Sequence, residues 1–180
     1  RAHAALGSEY RVKAEQSTNP QEKAELYDKA IKEYTIGGTI LPKYVEPFYN
    51  LGVIAFAQND TMKALDYYMK SLDAVPFYRN SLHNIAVIYL YQGKIDSSIT
   101  YLNRILGQYP NDNEELINLS YAYLVKKDYP KAMQYAQMGI ERQPDVPVHY
   151  RNLAAAYSAA GDTMNARLNW EKFLSLGGKP

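Results

Sequence analysis

The chain has no cysteine, which excludes disulfides, thiolate metal sites and cysteine nucleophiles within its 180 residues but leaves the redox state of its compartment open. It also lacks any apolar run near the roughly 18 residues of a membrane-spanning helix, and it carries no signal-peptide pattern. Excess charge of one sign is missing too. Twenty Lys and Arg face 19 Asp and Glu, a net charge of +1, which supplies neither the basic field nucleic acid requires nor an acidic tail. The first residue is Arg1 rather than Met, which reads as a processed or excised piece of a longer protein. What the chain has in plenty is tyrosine, 18 in all, within a composition that is 47% apolar and 22% charged. Such a chain folds around a core.

A period of 34 residues organises the sequence. Pro42, Pro76, Pro110 and Pro144 keep that step, as do Asn50, Asn84, Asn118 and Asn152. Beside the asparagines run Leu51, Ile85, Leu119 and Leu153, then the small residues Gly52, Ala86, Ser120 and Ala154. An aromatic column follows at Tyr89, Tyr123 and Tyr157, with Ala55 as its exception. Ala30, Ala64, Ser98, Ala132 and Ala166 extend the register across five units, and no insertion breaks it over residues 45–178.

Each unit resolves into two helices. Over residues 47–58, Phe48, Leu51, Ile54 and Ala55 fall at helical spacing, and the second helix, residues 61–74, is expected to bury Ala64, Leu65, Tyr68 and Leu72. Between the two, Gly93 and Gly161 suit a left-handed helix end, and Asp60, Asp128 and Asp162 are placed to cap the second helix. Proline closes the unit. The small columns let the paired helices approach, while Phe48, Leu82, Leu116 and Tyr150 are expected to reach across the pair.

These residues resemble the tetratricopeptide repeat. Phe48, Leu51, Gly52, Ala64, Tyr68 and Pro76 match its signature in one unit; Leu119, Tyr123, Ala132 and Pro144 match it in another. Tyr150, Leu153, Tyr157, Ala166 and Trp170 match it in the last. The resemblance implies an all-α fold, a right-handed α-solenoid of antiparallel helix pairs with about five repeats, whose concave face is lined by the first helix of each. The repeats are expected at residues 45–78, 79–112, 113–146 and 147–180. Residues 1–44 read as an atypical helix pair, with 11 extra residues shared between longer helices and Pro20 at a helix start. No capping helix is evident after Trp170, Phe173, Leu174 and Leu176, so part of the final helix is expected to be exposed.

Nothing in the chain suggests an enzyme, a metal site or a cofactor. His3, His83 and His149 lack zinc-site spacing, and His83 and His149 read as packing or solvated side chains. Gly37-Gly38 lacks the following Lys and Ser or Thr of a phosphate loop and reads as a turn. Asn111, Asp112, Asn113, Glu114 and Glu115 have Leu116 where a calcium loop needs glycine, and read as a charged helix start. Most of the tyrosines read as scaffold packing.

The candidate site is therefore a groove. By the resemblance, the concave face takes Tyr49, Asn50, Val53 and Phe56, then His83, Asn84, Val87 and Tyr91. Ile117, Asn118, Tyr121, Leu124 and Val125 follow, and then Arg151, Asn152, Ala155 and Ser158. This face is apolar and rich in tyrosine, which suits a protein or peptide partner. The asparagines read equally as amides for a peptide backbone or as contacts between units. The family's clamp for chaperone C-terminal carboxylates is not reproduced, because Tyr49 and Val53 stand where it has Lys and Asn, and only Asn84 survives in the next unit. The leading expectation is a non-enzymatic protein-interaction scaffold that binds a peptide segment. The alternative is an accessory domain of a larger protein, such as a membrane-embedded transferase, docking another domain or a glycan. A third expectation is self-association through the final helix. Cytoplasm and periplasm are both compatible, and the excised start leans toward an extracytoplasmic domain of a longer bacterial protein.

Overall fold

The computed structural model describes residues 1–179, and among them ten helices form five antiparallel pairs. In order these are α1 (Ala2–Gln16) with α2 (Pro20–Ile40), α3 (Val45–Ala57) with α4 (Thr61–Ala74), and α5 (Arg79–Tyr91) with α6 (Ile95–Gln108). The last two pairs are α7 (Asn113–Val125) with α8 (Tyr129–Arg142) and α9 (Pro147–Ala159) with α10 (Thr163–Ser175). Contacts divide the chain into two compact units, Arg1–Ile88 and Tyr89–Pro180, the division falling inside α5.

The turns obey local chemistry. The residue that closes each first helix from α3 onward is left-handed: Gly93 at φ 72° and Gly161 at φ 86°, and also Asn59 at 62° and Lys127 at 65°. Asp60, Asp128 and Asp162 then cap the following helices, accepting from the amides of Lys63, Lys131 and Asn165 at 3.0, 3.3 and 3.1 Å. Lys94 stands at the matching place before α6 and offers no such cap. Asp60→Ala is expected to cost about 1 kcal/mol, a drop in melting temperature that Asp60→Asn restores. A thermal melt of the two variants checks it.

In the first unit, Ala14, Tyr27, Ala30, Tyr34, Leu51 and Ile54 form a buried core, with Tyr10, Leu26, Ile31 and Tyr67 packed on it. The α1–α2 and α3–α4 pairs use the same device at their crossings. A methyl on Gly7 would lie 2.9 Å from the Tyr34 ring, and one on Gly52 would lie 2.5 Å from the Tyr68 ring. The extra length of the first pair falls mostly in α2, with 21 residues against 14 in α4, while α1 has 15 against 13 in α3. Pro20 opens α2 behind Asn19, whose side chain accepts from the amides of Gln21 and Glu22.

Three expectations need correcting. Gly37 and Gly38 are not a turn but buried residues inside α2, where bare backbone admits Pro47 and Phe48 of α3. Phe48 reaches back to α2, since its ring would lie 3.1 Å from a methyl on Gly38; its position serves the stacking of one pair on the next. Leu65 is half-buried, so α4 closes its core with Ala64, Tyr68 and Leu72.

Three of the joints between successive pairs are keyed at equivalent positions, ten residues apart. Gly37 faces Pro47, and the hydroxyls of Ser71 and Ser81 are hydrogen-bonded at 2.5 Å. Ile105 and Glu115 are both fully buried, and Glu115 accepts from the Asn118 amide at 2.9 Å. Gly139 lies against the His149 ring, which is 0% exposed.

Candidate functional site

In the second unit, α7 turns Leu116, Leu119, Ser120 and Tyr123 into the core, which leaves Ile117, Tyr121, Leu124 and Val125 on its other side at helical spacing. On α9, His149, Asn152, Leu153, Ala154 and Ala156 are buried, while Arg151 is exposed and Ala155 half-buried. Helix α9 packs against both α7 and α10. Tyr121, Leu124, Arg151, Asn152, Ala155 and Trp170 together line one shallow concavity of about 380 Å³. Tyr121 is 44% and Trp170 37% exposed, large fractions for rings in a folded protein. The Asn152 amide donates to the Ile117 carbonyl at 3.2 Å, which ties α9 to α7 beneath the concavity.

The remaining tyrosine columns are structural. Tyr123 stacks on Tyr135 with centroids 5.5 Å apart and planes 5° from parallel, and Tyr89 meets Tyr101 at 5.7 Å. Lys131 lies 5.1 Å from the Tyr123 centroid and Lys94 5.6 Å from that of Tyr89, so the outer faces of these pairs are covered by cations.

The tetratricopeptide repeat family profile matches residues 83–147. No curated protein matches the chain by sequence. Among solved structures, MamA is similar to it at 17% identity with a TM-score of 0.82, covering 97% of this chain and 90% of that one. MamA from Desulfovibrio magneticus RS-1 is similar at 16% identity and TM-score 0.81, covering 97% and 95%. YrrB, described as a TPR protein with an unusual peptide-binding site, is similar at 14% identity and TM-score 0.75, covering 93% and 84%. Residues 83–147 belong to the tetratricopeptide repeat family, and the whole chain has the fold of such repeat arrays.

On that repeat scaffold the four asparagines of the 34-residue column all have internal partners. Asn50 is buried and donates to the Glu46 carbonyl at 3.0 Å; Asn118 donates to Glu115, and Asn152 to Ile117. Asn84 hydrogen-bonds the Tyr68 hydroxyl, whose pKa burial pushes far up. In the first unit, Tyr49, Val53 and Phe56 occupy one side of α3, and His83, Asn84 and Val87 lie on α5. Phe56 is 40% exposed, whereas Tyr49 is half-buried, with its ring 6.0 Å from Tyr68 and edge-on to Tyr78 at 5.4 Å. Tyr91 ends α5 with 83% of its surface exposed.

Of the residues expected in a groove, Tyr121, Leu124, Arg151, Asn152 and Ala155 meet in one concavity. Trp170 joins them without having been expected there. It occupies the tetratricopeptide column of Tyr34, Tyr68, Leu102 and Ala136, all 1% exposed or less, but no first helix follows α10 among the described residues. Met164, Leu168 and Leu174 of α10 are likewise at least half exposed. No helix among the described residues is long and apolar enough to cross a membrane.

Proposed function

We propose that this protein is an interaction module, without chemistry of its own, that holds an extended peptide segment against the first-helix faces of its repeats. The observation that carries the reading is the concavity of α7, α9 and α10, where two half-exposed rings and an exposed guanidinium converge on a rigid helical floor. Aromatic rings and arginine are the side chains that most often dominate the energetics of such contacts. The same fold carries a peptide-binding site in YrrB, which supports the assignment. In the first unit, Tyr49, Asn50, Val53, Phe56, His83, Asn84 and Val87 are the corresponding first-helix residues; in the second they are Tyr91, Ile117, Asn118, Tyr121, Arg151 and Asn152.

The test separates binding rings from packing rings. Burying an exposed ring contributes about 1.5–3 kcal/mol, so Tyr121→Ala is expected to weaken a bound peptide roughly tenfold or more. Its effect on stability is expected within about 0.5 kcal/mol, because the ring is half in solvent. Tyr49→Ala behaves in the opposite sense and lowers the melting temperature, since it removes the ring between Tyr68 and Tyr78. A displayed library of random peptides selected on the whole chain supplies the ligands. Failure to enrich any sequence, or binding indifferent to Tyr121→Ala, overturns the proposal.

A further inference from the structure

We infer that the concavity between α7, α9 and α10 selects a peptide segment carrying an internal acidic side chain flanked by apolar residues, with Arg151 receiving the carboxylate. The inference rests on the peptide-binding reading and names the chemistry of the partner.

Three observations carry it. Arg151 is the one charged residue among the six that line the concavity, and no acidic residue is among them. Most other cations of the second unit, Lys127 and Lys179 excepted, have partners of their own: Lys126 pairs with Asp96 at 2.6 Å, Lys131 with Asp128 at 3.4 Å, and Arg167 with Glu171 at 3.6 Å. Arg142 donates to the Pro110 carbonyl, and Lys94 and Lys172 lie over the Tyr89 and Tyr150 rings. Arg151 is exposed and has no partner among the described residues. A guanidinium on an apolar, aromatic floor offers a planar fork of donors that matches a carboxylate.

The arrangement of the helices fixes where the carboxylate sits within the ligand. Helix α9 packs against α7 on one side and α10 on the other, so Arg151 stands between Tyr121 of α7 and Trp170 of α10. An extended chain crossing the concavity then places one residue on each ring and a third over the guanidinium. The chain continues on both sides of that third residue, so its charge comes from an Asp or Glu side chain rather than from a terminus.

Trp170 is the single tryptophan of the chain and lies inside the proposed site, so its fluorescence reports on it directly. In the free protein, iodide is expected to quench Trp170 more strongly than caesium does, and Arg151→Gln is expected to remove most of that bias. The capped peptide Ac-Ser-Leu-Glu-Leu-Ser-NH2 is expected to shift Trp170 emission and to bind about fivefold more tightly than its Gln counterpart, the upper range for a solvent-exposed ion pair. Arg151→Gln brings the two peptides level, and added salt narrows the difference in the parent protein.

Equal binding of the Glu and Gln peptides, or emission that neither peptide moves, overturns the inference. So does preference for the Gln peptide when its C-terminus is left uncapped, which would place a terminal carboxylate on Arg151. The library selection keeps this failure apart from that of the broader reading. Enriched sequences without Asp or Glu whose binding still needs Tyr121 would retain peptide binding and remove the acidic preference. No enrichment would remove both.

Discussion

Gly139→Ala is expected to be among the most destabilising single-methyl additions in this chain. The new Cβ would lie 2.1 Å from both Cε1 and Nδ1 of His149 and 2.8 Å from its Cγ. The ring cannot swing away, because it is 0% exposed between α8 and α9. Overpacking a closed site costs about 1–3 kcal/mol, and an overlap this deep belongs at the upper end. The intrinsic helix preference for Ala over Gly returns at most about 1 kcal/mol, so the steric term wins. For a chain of this size each kcal/mol corresponds to about 2–4 °C, which places the expected fall in melting temperature at several degrees. Gly107→Ala is the control, since a methyl there meets nothing within 4 Å and the variant is expected to hold or gain stability.

The protein also supplies its own rescue. At the equivalent crossing of α4 and α5, Ser71 and Ser81 fill the same positions with two hydrogen-bonded hydroxyls. Gly139→Ser combined with His149→Ser reproduces that solution and is expected to recover most of what Gly139→Ala loses. A Gly139→Ala variant as stable as the parent would mean that α8 and α9 can separate without loss, against the tight crossing described above.

The second large effect is a loss of stability on acidification. Neither ring nitrogen of His149 has a hydrogen-bond partner, and burial pushes its pKa below the ordinary 6.5. As pH falls through 6.5, the unfolded chain takes up a proton at this residue while the folded chain does not, so the unfolded state gains. Above about pH 7.5 both states are neutral at this position and the residue is indifferent to pH. Below 6.5 the loss approaches about 1.4 kcal/mol per pH unit, and it levels off once the folded imidazole also protonates. Asp162 acts in a lower window. Hydrogen bonds from Asn165 and Met164 hold its carboxyl below 3.8, so its stabilisation is present above that value and is lost as pH falls further. Melting curves at pH 7.5 and 5.5 check the prediction, with the double serine variant as reference. The parent is expected to lose more than the variant between the two pH values, and parallel losses would refute the assignment to His149.

Much of this architecture was legible because a repeat states each packing rule several times. The Asp60, Asp128 and Asp162 caps and the left-handed Gly93 and Gly161 followed from local chemistry alone, and the helix over residues 61–74 begins and ends where its cap and proline require. Legibility failed where a residue's meaning depends on another helix. Gly37-Gly38 has the composition of a turn, and only the arrival of Pro47 and Phe48 from α3 turns it into a helical contact surface. Tyr49 reads by the resemblance as a residue of the open groove, yet its ring packs against Tyr68 and Tyr78. Trp170 was hidden for the opposite reason. Its column is buried in every earlier repeat, whereas Trp170 is 37% exposed among the described residues. The 34-residue column of Trp170, followed to its last member, was the signal available for that residue.

The crossings between successive pairs carry a further consequence for how the chain assembles. An array with identical joints could close in the wrong order, one pair docking where its neighbour belongs, a known hazard of repeat proteins. Here the joints differ in shape and chemistry: glycine takes proline at one, serine takes serine at another, and glycine takes imidazole at a third. A pair shifted by one step would set the His149 ring against the Ile105 side chain instead of the bare backbone of Gly139. Two bulky side chains would then compete for space that glycine leaves to one. The unequal joints act as a serial code that admits each helix pair at one address, so the order of the array is written into its interfaces as well as its loops.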